Sequence, residues 1–260
     1  MKREKRKGTF VVVDGLDGIG KGEIERALRS YEEINGKAVF DSIAFSKAHR
    51  KGHPELKDFW NPPETYFDTI MTAEPSYSGI GHTIRTEMIS NNGRSYSWVD
   101  QSQAYSLDRL TQMRRVVIPA LENGLTVLQS RCLAATLTYQ SLKAVLEGKD
   151  EERIRNEILW QEGNKVQLEY APDLLIIPTI KDIDSLIQRI ESRRKNEKDD
   201  NCEFENVKFQ EKLKPLYESD WLCDLFEKYG TKVEYLDAGI SVEESRKQAV
   251  DIYKNFLESR

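Results

Sequence analysis

Three glycines and one lysine directly follow a short apolar run and have the spacing of a phosphate-binding loop. The glycines stand at positions 15, 18 and 20, and Lys21 comes next. Glycine lets the backbone curl so that several N–H groups point at one anion, and the lysine adds a full positive charge. The spacing matches the pattern G-x-x-x-x-G-K-[ST], except that Gly22 replaces the residue whose hydroxyl group would hold Mg²⁺. We therefore predict that this loop binds phosphate groups.

The segments on either side of this loop are of the kind needed to position it. The Val-rich run at residues 10–13 predicts a buried β-strand. Apolar residues then recur at the helical spacing i, i+3, i+4 and i+7, at Ile24, Ala27, Leu28 and Tyr31. We expect this helix to end near Asn35-Gly36, and its positive N-terminal end favours a bound phosphate. The alternative is a buried strand followed by a glycine turn that binds nothing.

A second set of polar residues shares one face of a long helix predicted from about Trp98 to Asn123. Its members again follow the i, i+3, i+4, i+7 spacing, and they are Tyr105, Asp108, Arg109 and Gln112. An aromatic ring beside an arginine suits a nucleotide base and its phosphate group. The alternative is a solvent-exposed helix surface stabilised by contacts between successive turns.

Other polar residues are predicted at the carboxyl ends of strands. Ser130-Arg131 directly follows the predicted strand Thr126–Gln129, and Glu74 lies where a strand at residues 69–76 runs into a loop. Ligands of open α/β sheets bind outside these strand ends, so both positions are candidates for a binding site. A solvated loop acid is the alternative for Glu74.

The alternation of strands and helices predicts one doubly wound α/β domain over residues 1–260. Further strands are expected at Ala38–Phe45, Pro172–Ile177 and Lys232–Leu236. Within the domain we expect a basic tail at residues 1–8, an irregular insertion at 46–66 and a charged, lid-like loop at 193–203. A helical stretch from Phe204 to Tyr229 is interrupted near Pro215, and the last helix opens with the capping box Ser241-x-x-Glu244.

The composition excludes several classes of protein. The formal net charge of −5 argues against nucleic acid as the main partner. Apolar runs of transmembrane length are missing from the sequence. The three cysteines are scattered without the spacing of a metal site, which suits the reducing cytoplasm.

Taken in order, these features resemble the thymidylate kinase family of P-loop nucleoside monophosphate kinases. The resemblance covers roughly Thr9 to Phe256. The motifs that carry it are Asp14-Gly-Leu-Asp-Gly-Ile-Gly-Lys21, Thr72-Ala-Glu-Pro75, Tyr105-Ser-Leu-Asp-Arg109, Ser130-Arg131, Tyr139-Gln140, Pro172-Asp-Leu-Leu-Ile-Ile177, Phe204-Glu205 and Leu236-Asp-Ala238.

The resemblance implies a three-layer P-loop NTPase fold, with a five-stranded parallel sheet, helices on both faces and a short lid. It also implies a cytoplasmic homodimer that transfers the γ-phosphoryl group of ATP to dTMP with Mg²⁺, in the biosynthesis of dTTP. A close relative that acts on another pyrimidine deoxynucleotide would fit the same features. The residues implied for ATP are Gly15, Leu16, Asp17, Gly18, Ile19, Gly20, Lys21, Gly22, Asp237 and Ala238.

The same resemblance assigns the acceptor side of the reaction. Tyr105 would stack on the thymine, Arg109 and Arg131 would hold the acceptor phosphate, and Arg85 is a weaker match nearby. Tyr139 and Gln140 would line the thymine side, and Asp17 would face the sugar. Glu74, from its place at a strand end, is a further candidate for substrate binding. The catalytic cations would be Lys21, Arg131, Arg193 and Arg194.

The sequence also departs from the family pattern at four positions. Gly22 lacks the hydroxyl group, Ala73 stands where many members have arginine, and Glu203 replaces a lid arginine. Ser130 replaces the aspartate that would help to place the metal or the reacting phosphate, so the metal ligand is unknown. Two alternatives therefore stay open: a non-catalytic or weakly active nucleotide-binding homologue, and a deoxynucleoside kinase whose base would be Asp14 or Glu74.

Overall fold

The fold was established from a computed structural model that describes residues 6–49, 52–186, 188, 204 and 207–260. Several predicted features fall outside these residues. They are the first five residues of the basic tail, the lid-like loop at 193–203 with Arg193, Arg194 and Glu203, and Glu205.

The centre of the molecule is a six-stranded parallel sheet with the strand order β2-β5-β6-β1-β7-β8. A separate antiparallel hairpin is formed by β3 and β4. The strands are β1 Thr9–Val13, β2 Val39–Asp41, β3 Trp60–Asn61, β4 Thr65–Tyr66, β5 Thr69–Ala73, β6 Thr126–Ser130, β7 Leu174–Thr179 and β8 Lys232–Asp237.

Helices flank this sheet and complete a three-layer α/β fold, as predicted. They are α1 Lys21–Ile34, α2 Ser42–Ala48, α3 Leu56–Phe59, α4 Gly79–Thr83, α5 Trp98–Gln112, α6 Ile118–Glu122, α7 Leu133–Leu146, α8 Glu151–Leu159, α9 Glu162–Glu169, α10 Val207–Tyr217, α11 Asp220–Lys228 and α12 Val242–Glu258. The predicted capping box of Ser241 and Glu244 is present at the start of α12.

The five strands implied by the family resemblance are one too few, because the sheet has six strands, each of which overlaps a strand predicted from the apolar patterns. The edge strand β2 is shorter than the predicted Ala38–Phe45. It ends at Asp41, whose carboxylate accepts a hydrogen bond of 2.8 Å from the backbone N–H of Ala44 and so caps α2. The capped helix replaces the second half of the predicted strand.

The insertion at residues 46–66 is more regular than predicted, because it contains α3 and the β3–β4 hairpin. An aromatic cluster holds it against the sheet edge. The ring of Phe40 on β2 lies 5.8 Å from that of Phe59 and 5.2 Å from that of Phe67. Such contacts between distant residues do not follow from local sequence signals.

The long helix predicted from Trp98 to Asn123 is confirmed as α5, a π-helical turn at Met113–Val117, and α6. The wide turn ends two residues before Pro119, which has no N–H to donate and whose ring crowds the preceding turn. In the C-terminal part, α10 continues through Pro215, and the break falls at residues 218–219, where Ser219 caps α11. No helix among residues 6–49, 52–186 and 207–260 is long and apolar enough to cross a membrane.

Candidate active site

A cleft of about 760 Å³ opens at the carboxyl ends of β1, β5 and β6. The central strand β1 is fully buried and leads straight into the glycine loop. Predicted site residues from four separate parts of the chain line this cleft. They are Asp17, Gly18, Gly20, Lys21, Gly22, Glu74, Arg85, Tyr105, Arg109, Arg131, Tyr139 and Gln140.

The other predicted ATP residues are not among those that line the cleft in the described part of the chain. Leu16 and Ile19 point their side chains into the core, so only their backbone can face a phosphate. Gly15 packs against Pro178, which would lie 3.3 Å from a Cβ atom placed at this glycine. Asp237 and Ala238 lie at the end of β8, which is separated from β1 by β7, and neither is among the residues lining the cleft in the described part of the chain.

Asp14 anchors the glycine loop to the rest of the site. Its buried carboxylate accepts hydrogen bonds from the backbone N–H groups of Gly15, Cys132 and Ala135, at 2.8 to 3.0 Å, and from the hydroxyl group of Tyr217 at 3.0 Å. A carboxylate that is already shared among four donors is poorly suited to take a proton from a substrate. We therefore interpret Asp14 as a structural residue, which disfavours it as the base of a deoxynucleoside kinase.

The side chain of Lys21 folds back onto the glycine loop. Its ammonium group donates to the carbonyl oxygens of Gly15 at 2.9 Å and Leu16 at 2.6 Å. Burial, assisted by the positive charge of Arg131, lowers the pKa of Lys21 to about 8. A bound phosphate would offer this ammonium group stronger, charge-assisted hydrogen bonds.

This pKa predicts that nucleotide binding depends on pH. The protonated fraction of Lys21 falls as the pH rises through about 8, and the neutral amine attracts phosphate less. We expect the Kd for ADP to increase by up to about tenfold between pH 7 and pH 9. Titration calorimetry across this range measures the change. A Kd that stays constant in the wild type, or an equal increase in Lys21→Met, would contradict the assignment to Lys21.

Arg131 joins the glycine loop to the predicted acceptor side. Its guanidinium group pairs with Asp17, donates to the carbonyl oxygen of Gly15 at 3.2 Å and lies over the ring of Tyr139 at 5.3 Å. The Tyr139 hydroxyl group donates to Asp17 at 2.9 Å, and Gln210 on α10 donates to the same carboxylate at 3.2 Å. The backbone of Arg131 has a φ of +63°, a conformation that costs free energy in a non-glycine residue and is held here by this network.

Glu74 and Arg109 form a buried ion pair in the floor of the cleft. The guanidinium group of Arg109 approaches Glu74 to 2.7 Å and also bonds to Asn164 and Thr136. The second carboxylate oxygen of Glu74 accepts from two amide side chains, those of Gln129 at 3.1 Å and Gln167 at 2.9 Å. Burial raises the pKa of Glu74, although the charge of Arg109 acts in the opposite direction.

This arrangement decides two of the open alternatives. Because Arg109 is 1% exposed and Asp108 and Gln112 are also buried, their helix face is not a solvent-exposed surface. Glu74 is likewise not a solvated loop acid. Asp108 turns away from the cleft and accepts hydrogen bonds from the backbone N–H and hydroxyl group of Ser76, at 2.6 and 2.7 Å.

Arg85 lies at the rim of the cleft with a stacked aromatic partner that the sequence did not reveal. Its guanidinium group lies 4.0 Å from the ring centre of Tyr77 and donates to the carbonyl oxygen of Ser76 at 3.2 Å. Lys47 contacts the same ring at 4.3 Å. The Tyr77 ring thus lies between two cations at this rim.

Glu25 is a cleft residue that the sequence interpretation missed. It lies on α1 one helical turn after Lys21, and Ser130 is within hydrogen-bonding reach of its carboxyl group. Its Oε1 atom is buried, and no hydrogen-bond donor in the described part of the chain contacts it. The i, i+4 spacing from Lys21 is the signal that could have pointed to this residue.

Comparisons with known proteins give the family of this chain. A family model described as thymidylate kinase matches residues 61–249. Thymidylate kinases from Clavibacter sepedonicus and Prochlorococcus marinus (strain MIT 9312) are 27% and 29% identical over 210 and 209 residues, covering 81% and 80% of this chain and 80% of each relative. A solved thymidylate kinase from Candida albicans has the same fold, with a TM-score of 0.62 at 18% identity, covering 97% of this chain and 93% of that one. The chain therefore belongs to the thymidylate kinase family.

Proposed function

We propose that this chain transfers the γ-phosphoryl group of ATP to dTMP, giving dTDP and ADP. The observation that carries this proposal is one cleft in which a phosphate-binding loop faces a second set of cations and an aromatic side chain. Family membership supports the same reaction. Two anionic substrates can thus be held side by side, as phosphoryl transfer between them requires.

The donor half of the site is the glycine loop with Lys21. The positive φ angles of Gly18 and Gly20, 74° and 100°, turn the backbone in the way that exposes N–H groups to an anion. When ATP binds, we expect Lys21 to leave the carbonyl oxygens of Gly15 and Leu16 for the phosphate oxygens.

The acceptor half lies between α5, α7 and the end of β6. Tyr105 on α5 offers a ring for the base, and Tyr139 and Gln140 on α7 complete that side of the cleft. Arg131 is the cation placed between the two halves, since it contacts both the glycine loop and Tyr139. We propose that it neutralises charge on the transferred phosphoryl group.

Phosphoryl transfer requires alignment of the two substrates and neutralisation of their charge, and it requires no covalent nucleophile from the protein. Mg²⁺ entering with ATP would neutralise part of the phosphate charge. Arg109 lines the same cleft, and its pairing with Glu74 fixes its position, so we expect it to act as a second cation toward the acceptor phosphate. These roles fit the five cations that line the cleft, which are Lys21, Arg26, Arg85, Arg109 and Arg131.

Acceptor preference tests this proposal. Steady-state ADP release should be stimulated by dTMP more than by dUMP, dCMP or dAMP. A methyl pocket discriminates dTMP from dUMP by only about 1–3 kcal/mol, so kcat/KM for dTMP should exceed that for dUMP by about 5–150-fold. Stimulation by thymidine without stimulation by dTMP would favour a deoxynucleoside kinase. Its base would have to be Glu74 or Asp14, both of which already have several donors.

Tyr105→Ala should raise the KM for dTMP and change kcat little. Stacking of a base on an aromatic ring contributes about 1–3 kcal/mol, so the increase in KM should be about 5–150-fold. Tyr105→Phe keeps the ring and is the matched control, with a KM near the wild-type value. Equal effects of both variants would show that the hydroxyl group, rather than stacking, is what matters.

A second candidate is a nucleotide-binding homologue that turns over slowly or not at all. The observation that favours it is Ser130 at the end of β6, where a carboxylate would be expected beside the metal. It predicts calorimetric binding of ADP and dTMP without ADP release.

Family membership also supports a homodimer that works in the cytoplasm as a single catalytic domain over residues 1–260. Sedimentation velocity measures the oligomeric state. A monomer at micromolar concentration would contradict the proposed dimer without affecting the proposed reaction.

A further inference from the structure

We propose that Glu25 is the side chain that positions the divalent cation accompanying ATP, acting together with the Ser130 hydroxyl group. This inference rests on the proposed binding of ATP at the glycine loop. Glu25 on helix α1 would supply the carboxylate ligand that the end of β6 lacks, because Ser130 stands there.

The first observation is the state of the Glu25 carboxylate. Its Oε1 atom is removed from solvent and contacts no donor among residues 6–49, 52–186 and 207–260. No cation in that part of the chain lies within ion-pair distance of this carboxylate either. Burying a carboxylate oxygen without a partner is costly, and a bound cation would remove that cost.

The neighbouring acid Glu23 shows that this state is not a general property of α1. Glu23 forms ion pairs with Arg26 and Arg246 at the surface, so its charge is already compensated. Both acids line the cleft that contains Lys21 and Ser130, so they differ in their partners and not in their location. Of these two acids, only Glu25 combines a buried, unpaired oxygen with a place beside the phosphate-binding loop.

The second observation is the chemistry of the pair formed by Glu25 and Ser130. In P-loop enzymes the cation is held by a hydroxyl group on the helix that follows the loop and by a carboxylate from a neighbouring strand. Here the strand end carries the hydroxyl group, at Ser130, and the helix carries the carboxylate, at Glu25. Both kinds of oxygen ligand suit Mg²⁺ and are present here, but the hydroxyl group lies on the strand and the carboxylate on the helix, the reverse of the usual arrangement.

Linkage between metal and nucleotide binding tests this inference. The Kd for ADP is measured by titration calorimetry with Mg²⁺ and with EDTA, for the wild type, Glu25→Gln and Glu33→Gln. Glu33 is the matched control, because it lies on α1 far from the cleft and pairs with Arg29 at 2.8 Å. The gain from Mg²⁺ is the Kd for ADP in EDTA divided by the Kd with Mg²⁺. We expect a gain above one in the wild type and in Glu33→Gln, and a gain at least about fivefold smaller in Glu25→Gln.

Without metal, Glu25→Gln should bind ADP as tightly as the wild type or more tightly, because a negative charge near the phosphates has been removed. The thermal midpoint of the apo protein should change little, because the glutamine side chain can still bond to Ser130 and the buried Oε1 atom has no partner to lose. A large fall would show that Glu25 is a structural residue and would overturn the inference. Adding Ser130→Asp to Glu25→Gln should restore the gain, whereas a purely structural role predicts no rescue.

The outcomes separate this inference from the proposed function. A wild-type gain that persists in Glu25→Gln, together with normal ADP binding in EDTA, would overturn the role of Glu25 alone. A wild type that binds no ADP in either condition would overturn the proposed function and this inference with it. Spin-resonance spectra of Mn²⁺ with ADP give a second readout, and Glu25→Gln should release Mn²⁺ that the wild type retains.

Discussion

Lys21→Met is expected to lower kcat/KM for ATP by at least about 10²–10³-fold, the loss typical of removing one preorganised charge from a transition state. Lys21 is the cation of the glycine loop, and its ammonium group already lies against the loop carbonyl oxygens. Methionine has a similar length but offers neither charge nor donors. Steady-state ADP release with saturating dTMP measures the loss.

The exposed Lys37 provides a matched control for this substitution. Its weak ion pair with Asp68, at 3.8 Å, lies away from the cleft, so Lys37→Met should keep wild-type activity. Circular dichroism of both variants checks that the fold is intact. Activity of Lys21→Met within tenfold of the wild type would mean that the loop does not hold the transferred phosphate.

Arg109→Leu is expected to destabilise the protein by about 3–5 kcal/mol, because it leaves the buried Glu74 carboxylate without its cation. Urea-induced unfolding measures the free energy of unfolding. Glu74→Gln should also destabilise the protein, because it leaves the buried charge of Arg109 without a carboxylate.

The double variant Arg109→Leu/Glu74→Gln should recover part of the stability lost in Arg109→Leu, because no buried charge is left unpaired. Strict additivity of the two losses would contradict a coupled ion pair. Arg109→Lys separates stability from catalysis: it keeps the charge, and it should raise the KM for dTMP if Arg109 contributes to binding the acceptor phosphate.

The elements that position the site could be predicted from local sequence patterns. The apolar run at residues 10–13 and the glycines before Lys21 specify a strand, a loop and a helix without help from distant residues. The strand-end rule correctly brought Glu74 and Arg131 to one edge of the sheet. These features depend on spacing and on backbone chemistry, both of which can be seen in the sequence.

The features that were missed depend on contacts between distant residues. Asp41 ended a predicted strand early because its carboxylate caps a helix, and the Phe40 cluster ordered the 46–66 insertion. The amide of Gln210 reaches Asp17 across 193 positions of the chain. The unpaired oxygen of Glu25 likewise appears only when its surroundings are known.

Product identification tests the central claim most directly. The chain is incubated with Mg²⁺ and ATP labelled at the γ-phosphate, together with either dTMP or thymidine, and the labelled nucleotide is identified. A dTMP kinase predicts labelled dTDP from dTMP and no labelled dTMP from thymidine, with the signal lost in Lys21→Met. Label that stays in ATP with both acceptors, or that appears only in dTMP made from thymidine, would contradict the account.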